Sequence, residues 1–300
     1  MIRVVTDSTG YVPQEIIDRH DIRVVPLNVH FEDGLVFQEG IDLTNQEFYQ
    51  KLAACKQLPT TSQPSPALFQ SVFEELTCNG DQVICTVLST EMSGTYQSAV
   101  EARRNLPNAD IVIIDSQMVA AGLAFLTLTA AEMAEDGCSM HEIVSRLEQM
   151  KEDIRIYFAV DTLEYLQKGG RIGTASAMLG TVLKVKPILT VRDGIVQPVD
   201  KVRSRARAIQ RIVDELVDYV TDRQPTQLIL MHALAPEEAE VLSAKLQNRL
   251  KCSRIILTEV GSIVGTHTGP GVIGGAVCPV YAPVRAEEIR SQELAVPLLA

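Results

Sequence analysis

Basic residues are in the minority in this chain of 300 residues: 27 lysines and arginines stand against 38 aspartates and glutamates, a formal net charge of -11. That balance argues against wholesale binding to nucleic acid, which neutralises phosphates with clustered cations. One basic stretch remains, Lys201-Val202-Arg203-Ser204-Arg205-Ala206-Arg207. It reads as a solvated helix face, with protein docking left open. Long apolar runs are also missing, and none approaches the roughly 20 residues needed to cross a bilayer. The longest, Val119 to Ala131, contains Thr127 and Thr129 and stops at Glu132, so a buried helix is expected. The chain enters a strand-like run at Ile2-Arg3-Val4-Val5 without the charged leader and apolar centre of a signal peptide. Cys55, Cys78, Cys85, Cys138, Cys252 and Cys278 form no CxxC pair. Reduced core thiols and a cytoplasmic setting are the expectation. No Walker motif, internal repeat or low-complexity tract occurs.

What the chain does have is apolar material, 46% of its residues, enough for one large or two medium cores. The first half alternates strands and helices. Ile2 to Val5 reads as a strand ending at Asp7-Ser8-Thr9, and Pro13 opens a helix. Ile22 to Val29 reads as one extended run. Thr44 with Glu47 and Ser139 with Glu142 have the spacing of capping boxes. Ser65-Pro66 starts a further helix. Val83 to Leu88 and Ile111 to Ile114 are short, wholly apolar strands of the kind found in parallel sheets covered on both faces. The pattern changes near Asp153. Asp193-Gly194 then separates two apolar runs as a hairpin turn would, and strands follow at Ile156, Gln227, Arg254 and Val272 with helices at Arg205 and Pro236. The expected fold is α/β in two domains. Residues 1–153 form a three-layer α/β/α unit with a mostly parallel sheet. Residues 154–281 form a mixed or antiparallel sheet with helices on one face, and 282–300 form a tail.

Three hydroxyl-rich segments stand out as loops: Thr60-Thr61-Ser62-Gln63-Pro64-Ser65, Ser93-Gly94 ahead of Thr95-Tyr96, and Gly265-Thr266-His267-Thr268-Gly269-Pro270-Gly271. Ser93 follows an apolar strand and precedes a helix, where unpaired backbone N–H groups can hold an anion. Each has an ordinary structural alternative. Ser93 can cap the helix, Thr61 and Ser62 can satisfy backbone donors before Pro64, and His267 can bond a loop carbonyl. Neutral donors dominate all three, which suits capture of a small acidic group better than bond-breaking.

Thr61-Ser62-Gln63-Pro64-Ser65, Leu88-Ser89 with Ser93-Gly94-Thr95-Tyr96, Thr162-Leu163-Glu164-Tyr165-Leu166 leading to Gly169-Gly170-Arg171-Ile172-Gly173, and Gly265 to Gly271 together resemble the DegV family. Thr6-Asp7-Ser8-Thr9 fits as well, and the resemblance runs to about Tyr281. It implies a protein that holds a long-chain fatty acid in a tunnel between two domains, with no cofactor and no metal. It also implies a separate fatty-acid kinase subunit, to which the bound carboxylate is presented for phosphorylation to an acyl-phosphate that feeds phospholipid synthesis. Transient contact with a membrane surface goes with that role. By motif position Thr61, Ser62, Ser93, Gly94 and His267 form the carboxylate-binding set. Arg171 and Arg203 match positions for kinase docking or phosphate contact. Glu91, between the serines of the second motif, places an acid near the head group.

Two other readings compete. Ser93, His267 and Asp7 or Asp115 could compose a serine hydrolase, although Glu91-Met92-Ser93-Gly94-Thr95 lacks the leading glycine of a nucleophile elbow. A sugar-phosphate or nucleotide binder would use the helix start and the glycine-rich turn as its cradle.

Overall fold

The computed structural model describes residues 1–180, 185–220, 222–223 and 225–281. These residues form three sheets. The first contains β1 (Ile2–Asp7), β2 (Arg23–Val25), β6 (Gln82–Val87) and β7 (Ile111–Asp115) in the order β2-β1-β6-β7, every pair parallel. The second is mixed, with order β10-β9-β8-β13-β11-β12. Its strands are β8 (Arg155–Ala159), β9 (Lys186–Arg192), β10 (Ile195–Val202), β11 (Thr226–His232), β12 (Cys252–Glu259) and β13 (Ile273–Pro279). The third is a small antiparallel sheet of β4 (Val36–Gln38), β3 (Asn28–His30) and β5 (Thr60–Ser62).

Local chemistry sets most helix starts. Helix α1 (Gln14–Arg19) begins after Pro13. Thr44 caps α2 (Asn45–Ala54) and Ser139 caps α6 (Met140–Asp153), each in a complete capping box with the glutamate three residues on. Ser65 caps α3 (Pro66–Thr77), whose Phe69, Phe73 and Leu76 are buried with α4 (Thr95–Arg104) against one face of the parallel sheet. Asp193 (φ 52°) and Gly194 (φ 78°) both take the left-handed conformation that a two-residue hairpin turn demands between β9 and β10.

Helix α5 (Ala121–Glu135) is buried nearly all round. It packs on β1 and β6 of the parallel sheet and on β8, β11 and β13 of the mixed one, so a single apolar core joins the two. The opposite face of the mixed sheet carries α8 (Arg205–Val220) and α9 (Pro236–Gln247). Along β13 the two-residue period decides sides: Ile273 and Val277 join the α8–α9 core, while Ala276 and Cys278 face the central one. The sheet's other face is covered by α5 and α6, which come from residues 1–153.

Other departures have plain causes. The run Ile22 to Val29 is two strands in two sheets, because Pro26 cannot donate a ladder hydrogen bond. Thr60 to Ser62 is strand rather than loop, paired with β3. Most of the Gly265 to Gly271 segment is helical, as α10 (Ser262–Thr268), closed by Gly269 at φ 74°. The remaining short helix, α7 (Glu164–Lys168), runs into the Gly169-Gly170 turn. Among the described residues no helix is long and apolar enough to cross a membrane. The tail from 282 onward and residues 181–184 lie outside the described residues.

Between α5 and the parallel sheet sit three hydroxyls. Thr127 Oγ1 lies 3.1 Å from Thr6 Oγ1 and 2.9 Å from Thr86 Oγ1, and it donates to the Leu123 carbonyl. Replacing Thr127 with valine conserves shape but strands two buried hydroxyls. Thr127→Val is therefore expected to lower unfolding free energy by about 1–3 kcal/mol, measured by urea denaturation.

Candidate functional site

An apolar cavity opens where the three sheets meet. Counted out to its mouth, open solvent included, the space between its lining atoms is about 1020 Å³. Its body is built from Leu27, Ile156, Phe158, Val191, Met231 and Ile263, among others, drawn from the small sheet's approach, the mixed sheet and α10. Polar groups gather at one end: Thr61, Ser62, Gln63, Ser93, His267 and Thr268, with Arg171 the single charged residue of the lining. Thr61, Arg171 and His267 also line a second depression, shared with Pro59, Thr60, Lys168 and Thr266. The polar cluster thus stands between the apolar space and an outer opening.

The Thr61 hydroxyl and His267 Nε2 are 2.8 Å apart, joining β5 to α10. The other ring nitrogen, Nδ1, is buried without a partner. An orphaned N–H is rarer in proteins than an orphaned acceptor, which places the ring proton on Nε2, donated to Thr61. The Thr61 proton is then free for a ligand. Burial, reinforced by the positive charge of Arg171, pulls His267 down to about 4, so the ring is neutral at pH 7. Gly169 explains how the ring fits: a Cβ there would lie 2.2 Å from Nδ1. The turn after α7 is thus a wall of the imidazole's slot.

Ser62 bonds His30 Nε2 at 2.8 Å across the small sheet. Ser93 Oγ lies 2.9 Å from Thr95 Oγ1 and accepts from the Thr95 amide at 3.3 Å, so it bonds the first residue of α4 while lining the cavity. Arg171 is held by two carbonyls, donating from Nε to Met92 (3.1 Å) and from a terminal nitrogen to Gly169 (2.7 Å). Behind these groups lie two buried carboxylates. Asp7 accepts from the Thr9 amide and hydroxyl and from the Leu88 amide, at the head of the Ser93 segment, and burial raises it to about 6. Glu39 accepts from Ser8, Tyr11, Ser262 and the Ile263 amide, and burial raises it to about 7. The wall bends at Ala120, whose φ of 56° and ψ of -128° are costly for a residue with a Cβ.

Four of the expected residues, Thr61, Ser62, Ser93 and His267, come together at one end of this cavity, with Arg171 beside them. Gly94 does not line it. The place of a Cβ on Gly94 is filled by the Gln63 amide, 2.5 Å away, so this glycine lets the two hydroxyl segments approach. Arg203 is exposed and belongs to neither opening. Glu91 is likewise exposed, against the β9–β10 turn at Gly194, and so does not put an acid among the head residues. From α5 only Ala121 reaches the cavity; Leu123 to Met133 pack in the core. Nor is a hydrolase triad assembled. Ser93 pairs with Thr95, His267 with Thr61, and Asp7 and Asp115 bond Thr9, Leu88, Thr90 and Gln117. His30 and Glu39 went unread in the sequence. Among the described residues no group of three or more His, Cys, Asp or Glu side chains is placed to hold a metal.

Residues 1–280 match the family model described as "Uncharacterised protein, DegV family". Protein DegV of Bacillus subtilis is 37% identical over 278 residues, covering 92% of this chain and 99% of its own. The chain belongs to the DegV family. A DegV family protein from Thermus thermophilus, whose structure is described in terms of fatty-acid binding, superposes with a TM-score of 0.89 at 32% identity, covering 93% of this chain and 99% of that one. A stearic-acid-binding protein from Eubacterium ventriosum superposes at 0.86 and 29% identity, covering 93% and 98%.

The state of the imidazole is directly measurable. The depressed folded value means the unfolded chain takes up its proton first. The contribution of His267 to stability is therefore present above the ordinary value of about 6.5 and lost as pH falls towards 4. In ¹⁵N-labelled protein, the His267 ring resonances are expected to stay those of a neutral Nε2–H tautomer down to about pH 5. Titration near 6.5 would contradict the burial described.

Proposed function

We propose that this protein binds a long-chain fatty acid, with its hydrocarbon in the apolar cavity and its carboxylate at Thr61, Ser62, Ser93 and His267, and presents that carboxylate to a separate kinase subunit. One observation carries the reading. The apolar space ends in a cluster of neutral hydrogen-bond donors, and its lining contains no carboxylate. The fatty-acid binding described for the Thermus and Eubacterium relatives supports it.

The division of labour follows from magnitudes. Each buried methylene contributes about 0.8 kcal/mol, so a sixteen-carbon tail supplies on the order of 10 kcal/mol before association costs. A hydrogen bond nets about 1 kcal/mol, somewhat more to a charged acceptor. The tail sets affinity and the head sets orientation. Thr61 suits the head because its own proton is free once its oxygen accepts from His267. Neutral donors also leave the carboxylate nucleophilic, where a direct ion pair would quench it. Arg171 stands at the rim, held by carbonyls and shared with the outer depression, where a phosphoryl group would arrive. The cavity lies between the domains, which we divide at Asp153. The chain itself acts as carrier, and ATP chemistry belongs to the kinase.

Two tests follow. Titration with palmitate should give a dissociation constant about 10- to 150-fold weaker for Ser93→Ala than for wild type, the equivalent of one hydrogen bond to a charged acceptor. Unchanged affinity together with unchanged acyl-phosphate yield would count against the head-group assignment. Arg203, exposed and outside the lining of both openings, suits a docking role. Arg203→Ala should lower acyl-phosphate formation with the cognate kinase while leaving palmitate affinity within about twofold. Loss of binding with normal coupling per bound lipid would assign it to the pocket instead.

A further inference from the structure

Glu39 directly follows β4, a strand of the sheet whose β5 carries Thr61, and is buried to 6% exposure. Its carboxylate reaches out of that sheet to the first turn of α10, the helix that carries His267. Oε1 accepts from the Ile263 amide at 2.7 Å and from the Ser262 hydroxyl at 3.3 Å. Tyr11 donates to the same oxygen at 3.1 Å and accepts from the next amide, Val264, at 3.0 Å. Two of the helix's unpaired first-turn donors are therefore satisfied by groups from outside it. Gly261, just ahead of α10, makes the approach feasible, since a Cβ there would stand 2.6 Å from Oε1. The second carboxylate oxygen accepts from Ser8 Oγ at 2.7 Å, and Ser8 Oγ accepts from the amide of Leu27, a cavity residue.

Among the described residues, no cation pairs with this carboxylate, and besides Tyr11 its ionisable neighbour is Tyr49. A buried charge held by amides and hydroxyls alone is costly, so the cluster demands a reason. The geometry supplies one. His267 is one helical turn beyond Ile263, and α10 is two turns long. Whatever fixes the amide of Ile263 relative to β4 also fixes the imidazole relative to Thr61 on β5.

We infer that Glu39 is a positioning residue that sets His267 against Thr61, and through that pair confers preference for an acidic head group. The inference rests on the proposed fatty-acid site, and its test separates the two. Dissociation constants are measured for palmitate and for hexadecanol, which shares the tail and lacks the carboxylate. For Glu39→Ala, palmitate binding is expected to weaken about tenfold while hexadecanol stays within about twofold. Glu39→Gln keeps a carbonyl oxygen for the Ile263 amide and should retain palmitate binding within about threefold of wild type. Glu39→Asp, too short by one methylene to reach that amide, should lose preference as alanine does, and it serves if the alanine variant does not fold.

Equal losses for acid and alcohol would reduce Glu39 to a packing role and overturn the inference. So would wild-type palmitate binding in Glu39→Ala or Glu39→Asp. Should the wild-type protein itself fail to prefer palmitate over hexadecanol, the head-group reading falls and this inference with it. A wild type that discriminates, with variants that discriminate as well, removes the inference alone.

Discussion

A single contact, the 2.8 Å hydrogen bond between Thr61 and His267, is what the site depends on. Its partners are 206 positions apart and come from different layers, a small antiparallel sheet and a two-turn helix. Neither element would hold a fixed place alone. The sheet leans on α10 and the helix is capped by Glu39, the residue after β4, while Gly169 closes the imidazole slot from the side. Wherever these supports meet, the apolar cavity ends and the polar rim begins.

Charge is handled in layers around that contact. The innermost layer is neutral, hydroxyls and an imidazole kept uncharged by burial. Arg171 stands outside it, tied down by two carbonyls with no acid facing it in the lining. Behind it lie Asp7 and Glu39, raised towards neutrality by burial and bonded to the amides that lead into the Ser93 segment and α10. A bare carboxylate entering such a rim meets donors first and one cation at the edge. An uncharged apolar guest would gain the tail's burial but would leave the rim's donors unpaired, at a cost of about 1–3 kcal/mol each. Under the proposed function, discrimination by head group would follow from that asymmetry.

Where the sequence expresses its structure through local chemistry, it can be read residue by residue. Thr44 with Glu47, Ser139 with Glu142, Ser65 before Pro66 and Asp193-Gly194 all act as their spacing announces. The apolar runs of β6 and β7 become neighbouring strands of a parallel sheet, β6 inside it and β7 at its edge. Elements stabilised only by tertiary partners are silent. Strands β3, β4 and β5 are three residues each, too short for periodicity to declare them. Helix α10 hides behind glycines and threonines that look like a loop, because its caps come from Tyr11 and Glu39. Pro26 was the available signal that Ile22 to Val29 divides. In the site, hydroxyl residues and His267 were visible through their motifs, whereas Gly94, whose motif promised a ligand contact, serves packing against Gln63. Nothing local marks Glu39 or His30, since each acts through a residue far along the chain.

Native mass spectrometry of the protein purified from cells, followed by release and identification of whatever it retains, tests the central claim most directly. The account predicts one acyl chain per protein, bearing a free carboxylate, and its loss when the protein is denatured. A phosphate-bearing sugar or nucleotide in its place, with no acyl chain, would contradict it.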